Sequence, residues 1–331
     1  MKSSGSWLVS NFMRGKSRIG CIGELLVEFV CASKNGHHRK VDSYSGPFPS
    51  GAPGIFIDQA ARCGADCIFS GAVGDDAFGQ VIVDRLVADG VDPRLIKTVK
   101  GVPTGSAFVS YNDDGSRDFV YNIVLSAAAQ FDGNDKTVVA LADFRPDIMH
   151  VSGSALSNSE MCAKVLHVCK ALHGTGVRIS FDPNVRKELM GNPFYFDAVK
   201  DLMAIASIFL PSEDDAAALF PGEALSSFAA KLFARGMEYV ILKKGEKGSE
   251  AMSRSGEYVN LQAHKVDVLD PTGAGDCFCA TFVTLVASGN YSLPEAMARA
   301  NAAGALAVSK VGPMEGNSRL DTIEAFLAER S

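Results

Sequence analysis

The sequence predicts an α/β fold built on a mainly parallel sheet covered on both faces, with a small β-sheet lid. Three observations carry that prediction. Short apolar runs alternate with helix-length segments from Ile19 onward; 331 residues at 47% hydrophobic content suffice for one large core; and two β-rich excursions interrupt the alternation.

Ile19 to Phe29 is strand-like, Pro53 to Cys63 helix-like, Cys67 to Val73 a strand, and Ala77 to Ala88 an amphipathic helix. The rhythm resumes with strands at Ile148 to Ser152, Arg178 to Phe181 and Ile208 to Leu210, separated by helices at Glu160 to Leu172 and Ala198 to Ala206. A helix near Leu225 to Ala234, a strand at Tyr239 to Lys243, the apolar run Cys277 to Ala287 and a helix from Pro294 to Val308 complete it. Helices between successive strands force parallel crossovers, so both sheet faces are buried.

The excursions are Cys31 to Ser45, polar with an Asn35-Gly36 turn, and a hairpin of Ser106 to Tyr111 with Arg117 to Tyr121 around Asn112 to Gly115. Open α/β sheets bind ligands beyond the carboxyl ends of their strands, where such insertions form a lid. The expected division is a tail at 1–18, a lid at 31–45 and 101–122, and one α/β unit from 19–30, 46–100 and 123–331.

A net charge of −6, with no basic stretch longer than His37 to Lys40, excludes nucleic acid as the main partner. His37 and His38 read as solvated loop residues. No apolar run reaches the roughly 20 residues of a membrane span, and the N-terminal segment lacks the features of a secretory signal. Eight cysteines are scattered through apolar runs without zinc-site spacing, which suits buried thiols in a cytoplasmic setting.

Chemistry concentrates at residues 270 to 276, Asp-Pro-Thr-Gly-Ala-Gly-Asp, which open a buried helix. A Gly/Ala turn at a helix start leaves N–H groups facing an anion, and Asp276 can take a proton from a nucleophile. That outlines a phosphoryl-transfer site; a plain Gly-rich helix entry with Asp276 complementing the dipole is the alternative. No GxxxxGK[ST] loop occurs, and Gly273 to Phe278 lacks the third glycine of a dinucleotide fingerprint.

The order of features resembles the ribokinase-like (PfkB) carbohydrate kinases from Ile19 to the C-terminus. The resemblance rests on Gly23 to Glu28, Ser50 to Gly64, Val73 to Gly79, Asp182 to Arg186, Lys243 to Gly248 and the 270–276 string. It implies a ribokinase-like three-layer sandwich with a β lid, and an ATP- and Mg2+-dependent sugar kinase. Asp276 would be the base, the N–H groups around Gly273, Ala274, Gly275 and Asp276 would hold the charge on the transferred phosphoryl group, and Arg186 would lie near the phosphates. Asn184, Ser212, Lys243, Gly245, Gly248 and Asn301 would contact the nucleotide. Asp215 would reach magnesium through water, although a helix N-cap explains Ser212 and Asp215 equally well. Asp270 and Thr272 coincide with the family's monovalent-cation site, making K+ an activator to test.

For the sugar, the resemblance points to Glu28, Gly51, Ala52 and Asn122. Glu28 stands where an Asp is usual, Ile55 replaces an Asn and Ser50 a Gly, so substrate identity does not transfer from the commonest members. Members acting on 2-keto-3-deoxy sugar acids pair the carboxylate with an Arg, whereas Tyr121 to Ala128 carries no cation. This favours a neutral ketohexose such as fructose or tagatose. A sugar-acid kinase, a nucleoside kinase and a non-catalytic sugar-binding regulator are the alternatives. Exposed lid edges predict a homodimer.

Overall fold

The computed structural model describes residues 15–185 and 192–330 of the chain. In chain order its strands are β1 (Arg18–Ile22), β2 (Leu26–Cys31), β3 (Tyr44–Ser50), β4 (Asp66–Gly74), β5 (Val91–Val99), β6 (Gly105–Tyr111), β7 (Arg117–Asn122), β8 (Ile148–Ser152), β9 (Arg178–Asp182), β10 (Ala206–Phe209), β11 (Tyr239–Lys243), β12 (Ser249–Ser253) and β13 (Tyr258–Leu261). Its helices are α1 (Ala52–Arg62), α2 (Ala77–Ala88), α3 (Asp135–Phe144), α4 (Ser159–Gly174), α5 (Pro193–Ile205), α6 (Glu213–Leu219), α7 (Leu225–Phe233), α8 (Ala274–Ser288), α9 (Leu293–Ala307) and α10 (Leu320–Ala328).

Nine strands form the large sheet, in the order β13-β12-β11-β10-β9-β8-β1-β4-β5. Pairings from β11 through to β5 are parallel, and β12 and β13 close one edge antiparallel. Successive side chains of a strand point to opposite faces, and here both faces are apolar. Ile22, Met149 and Val151 pack with α3, α4, α5 and α7. Ile19, Cys21, Ile148 and Ile241 pack with α1, α2, α8 and α9. Helix α8 is also covered on its far side, where Cys277 joins a cluster with α9 and α10, so every residue from Cys277 to Leu285 is buried.

The second sheet has the order β3-β2-β6-β7, with β2 and β6 parallel and the outer pairs antiparallel. The run expected as one strand from Ile19 to Phe29 is therefore two strands in two sheets. The break falls at Gly23, whose φ of 154° turns the chain out of the large sheet. A side chain there would collide with Pro53, its Cβ lying 2.6 Å from the proline ring. Residues 26–30 and 46–50, expected in the larger unit, are thus strands of the small sheet.

The polar stretch between β2 and β3 forms no strand, and it is tied down by His37 and His38. His37 Nδ1 lies 2.6 Å from Asp118 Oδ2, and His38 Nε2 lies 3.0 Å from the Asp118 carbonyl. Both histidines brace the excursion against β7, His37 staying exposed to solvent as expected and His38 half-buried.

Candidate active site

The parallel strands bring their carboxyl ends to one rim, as open α/β sheets require. Glu24 follows β1, Asp76 follows β4, Asp182 ends β9 and Lys243 ends β11. With the small sheet above them they line a cleft of about 2040 Å³. Of the residues expected to act, Glu28, Gly51, Ala52, Asn122, Asn184, Ser212, Asp215, Lys243, Gly245, Thr272, Gly273, Gly275 and Asp276 all line this cleft. Arg186 lies outside the described residues.

The cleft centres on the start of α8. Gly273 takes the left-handed conformation (φ 84°) that turns the chain into the helix, and no side chain caps its first turn. An uncapped helix start leaves N–H groups and the positive end of the helix dipole facing the cleft. Gly275 and Asp276, in that first turn, line the wall, so the residues expected to hold a phosphoryl group and its proton acceptor share one surface.

Lys243 lies beside this turn, its Nζ 3.7 Å from where a Cβ on Gly275 would be. It donates to Asp182 Oδ2 and, at 3.4 Å, to Cys279 Sγ. Burial disfavours its charge, but the Asp182 carboxylate, with Cys279 and Asp215, more than offsets this and raises its pKa. A permanent cation thus sits beside the α8 amides. His150, stacked on Phe56 with centroids 3.5 Å apart, offers no competing base. Burial and the Lys243 charge hold its pKa well below the ordinary value.

Ser212 and Asp215 form a capping box at α6. The Ser212 hydroxyl accepts the Asp215 N–H at 3.1 Å, while Asp215 Oδ2 accepts the Ser212 N–H at 2.8 Å. Asp215 Oδ1 accepts the Val185 N–H at 2.7 Å, so both oxygens already carry donors. The N-cap reading therefore accounts for these residues, and any contact with a hydrated ion is indirect. The exposed acid beside them on the cleft wall is Asp214. Among the described residues no group of three or more His, Cys, Asp or Glu side chains could hold a metal.

Two nucleotide candidates stand apart from the cleft lining. Gly248 is pressed against the chain at Leu261, a Cβ there falling 2.0 Å from the Leu261 carbonyl. Asn301 accepts the Ser249 hydroxyl at 2.9 Å, while its buried Nδ2 has no hydrogen-bond partner among the described residues. Asn184, in contrast, donates from Nδ2 to Ser152 Oγ at 3.2 Å at the cleft edge. The Cys277 thiol, a candidate for reactivity at the helix start, is fully buried and donates to Asn317 Oδ1 at 2.9 Å. Burial pushes its pKa well up, so it packs and does not react.

Glu28 projects into the cleft from β2 with only 3% of its surface exposed, and Ser50 donates to it at 3.4 Å. Asn122 bridges to Ser106 at 3.2 Å on the neighbouring strand. The structure adds residues that were not singled out from sequence. Glu24 sits buried on the cleft wall, where its place between two sheets became visible only once the strand broke. Arg117 reaches the cleft from β7, its Nη1 3.5 Å from Thr272 Oγ1.

Comparison with known proteins agrees with this geometry. The model of a family described as pfkB family carbohydrate kinase matches residues 16–319. A solved structure of a provisionally assigned ribokinase II from E. coli, in complex with ATP and Mg2+, is 36% identical with a TM-score of 0.88, covering 95% of this chain and 99% of that one. A fructokinase of Klebsiella pneumoniae is 29% identical over 84% of this chain and 92% of its own length. A 2-dehydro-3-deoxygluconokinase of Bacillus subtilis is 29% identical over 92% and 94% respectively.

Proposed function

The chain belongs to the pfkB family of carbohydrate kinases, and from that premise we propose that it transfers the γ-phosphoryl group of ATP to a primary hydroxyl of a small neutral sugar, a ketohexose such as fructose or tagatose. The observation that carries this reading is the uncapped start of α8 facing the cleft with Asp276 in its first turn.

Phosphoryl transfer depends on positioning and on neutralising charge that spreads over the migrating group. The amides of Gly275 and Asp276 supply fixed donors, and the Lys243 ammonium adds a charge that cannot titrate away near neutral pH. Asp276 accepts the proton of the acceptor hydroxyl as its oxygen attacks in line. Magnesium with ATP screens the phosphate charges when bound. Asp214, and Asp215 through water, are the acids placed to steady its hydration shell.

The sugar end is acidic. Glu24 and Glu28, both buried, face the same wall and suit hydroxyl donors, whereas a substrate carboxylate would be repelled. The cation of the small sheet, Arg117, sits at the Thr272 end of the cleft. An ATP-coupled screen of ketoses, aldoses, sugar acids and nucleosides, with product position read by NMR, tests this. The expected result is a kcat/KM for a neutral ketohexose at least about 100-fold above that for 2-keto-3-deoxygluconate, the scale on which mispaired polar groups discriminate. A sugar acid or a nucleoside as the best substrate would overturn the assignment. No turnover with any sugar would favour a binding protein.

The small sheet ends in β7, an edge strand, and Val120, Tyr121, Val124 and Leu125 are exposed along and beyond it, Leu125 by 91%. An open apolar edge is a pairing surface, and a second copy of the chain covers it best, giving a homodimer with the small sheet as a lid shared between sites. Light scattering at micromolar concentration should give twice the chain mass, and Leu125→Asp should lower it. A monomer mass for the unaltered chain contradicts the dimer.

A further inference from the structure

The Asp270 carboxylate is 0% exposed, and both of its oxygens accept hydrogen bonds from the protein. Its Oδ1 accepts the Tyr111 hydroxyl and, at 2.9 Å, the Thr272 N–H; its Oδ2 accepts the Gly312 N–H at 2.9 Å. Tyr111 comes from the end of β6 in the small sheet, and its hydroxyl also lies 3.2 Å from Thr272 Oγ1. Across the hairpin Tyr111 pairs with Arg117, which approaches the same Thr272 oxygen. Two neighbouring side chains of the small sheet therefore clasp the turn that leads into Gly273.

A buried carboxylate needs its charge balanced, by donors or by a cation. The resemblance to the PfkB kinases placed a monovalent cation at Asp270 and Thr272, but Oδ1 already accepts two donors, so a cation could bind that oxygen only by displacing the Tyr111 proton or the Thr272 N–H. Burial, together with the hydrogen bond to Asp270, raises the Tyr111 pKa, so the phenol keeps its proton and goes on donating at neutral pH.

We propose that Tyr111 is a positioning residue whose hydroxyl takes the place of a monovalent cation at Asp270, holding the 270–273 turn that carries the anion cradle. This rests on the phosphoryl-transfer reading of that cradle. It also couples the two sheets, because the cradle is held in shape only while the hairpin of the small sheet is seated on it.

The test compares the unaltered chain with Tyr111→Phe in KCl, NaCl and tetramethylammonium chloride at equal ionic strength, with ATP as its Tris salt. Turnover of the unaltered chain should agree within about twofold across the salts. Tyr111→Phe should lose about tenfold or more in tetramethylammonium, the scale of a lost hydrogen bond to a charged group, with K+ restoring most of it. The melting temperature gives a readout independent of turnover: K+ should raise it for Tyr111→Phe and leave the unaltered chain unchanged.

Strong K+ activation of the unaltered chain would overturn the proposal. So would a Tyr111→Phe loss that is equal in all three salts with no K+-dependent melting shift, since that is what a merely structural tyrosine gives. If no sugar is turned over, the kinase reading fails while the melting measurements still decide the role of Tyr111.

Discussion

Asp276→Asn should lower kcat by about 10²–10⁴-fold, the usual cost of removing a general base. The amide is isosteric and leaves the α8 amides in place, so the KM for ATP should change little; a change confined to kcat marks an interaction made in the transition state. The folded protein should survive the change. An acid in the first turn of a helix contributes about 0.3–1 kcal/mol through the dipole, a small fraction of a domain's stability. A coupled assay with purified variant decides the point, and retention of more than about a tenth of the turnover would remove Asp276 from the role of base.

Gly273→Ala should be nearly as damaging by a different route. Gly273 has φ 84°, and an added Cβ would sit 2.5 Å from the Pro313 carbonyl oxygen. The left-handed conformation alone costs a non-glycine residue about 1–2 kcal/mol. The backbone clash must be relieved by moving the turn that opens α8, and small displacements in a positioned site cost as much as about 10²-fold. Turnover should fall by that order, with a melting temperature lower by a few degrees. A variant that keeps full activity would show that the conformation of Gly273 does not set the cradle.

Much of the framework was legible because strands buried on both faces and helices with one apolar stripe leave different patterns. The α2 span and the β8 and β11 strands emerge at the residues expected, since α2 opens behind its Asp76 cap and β8 and β11 are short apolar runs of the length of a buried strand. The break at Gly23 was hidden, because residues on both sides are equally apolar and only the three-dimensional turn sends them to different sheets. Strand β3, with Pro47 and Pro49 inside it, reads poorly as a strand, and it survives at the edge of the small sheet where missing donors cost nothing. Helices α3 and α10 and strands β5, β12 and β13 were not anticipated, although α3 and α10 are amphipathic; β5 and β13 are the two edges of the large sheet.

The site divides along the same line. Residues 273 to 276 were legible because a Gly-rich helix start with an acid in its first turn has a local signature. The Tyr111 clasp on Asp270 was not, because it joins residues 159 positions apart through a hairpin whose seating no local pattern encodes. Asp215 was ambiguous for the opposite reason: an N-cap acid and an ion-facing acid look alike in sequence, and only the donors on both oxygens separate them.

The most direct measurement is a structure with ADP, Mg2+, aluminium fluoride and the sugar found by the screen. The fluoride atoms should accept hydrogen bonds at about 3 Å from the Gly275 and Asp276 amides, with a sugar hydroxyl at a similar distance from the Asp276 carboxylate. Aluminium fluoride seated elsewhere along the cleft, with the first amides of α8 turned away from it, would contradict the phosphoryl cradle on which the assignment rests.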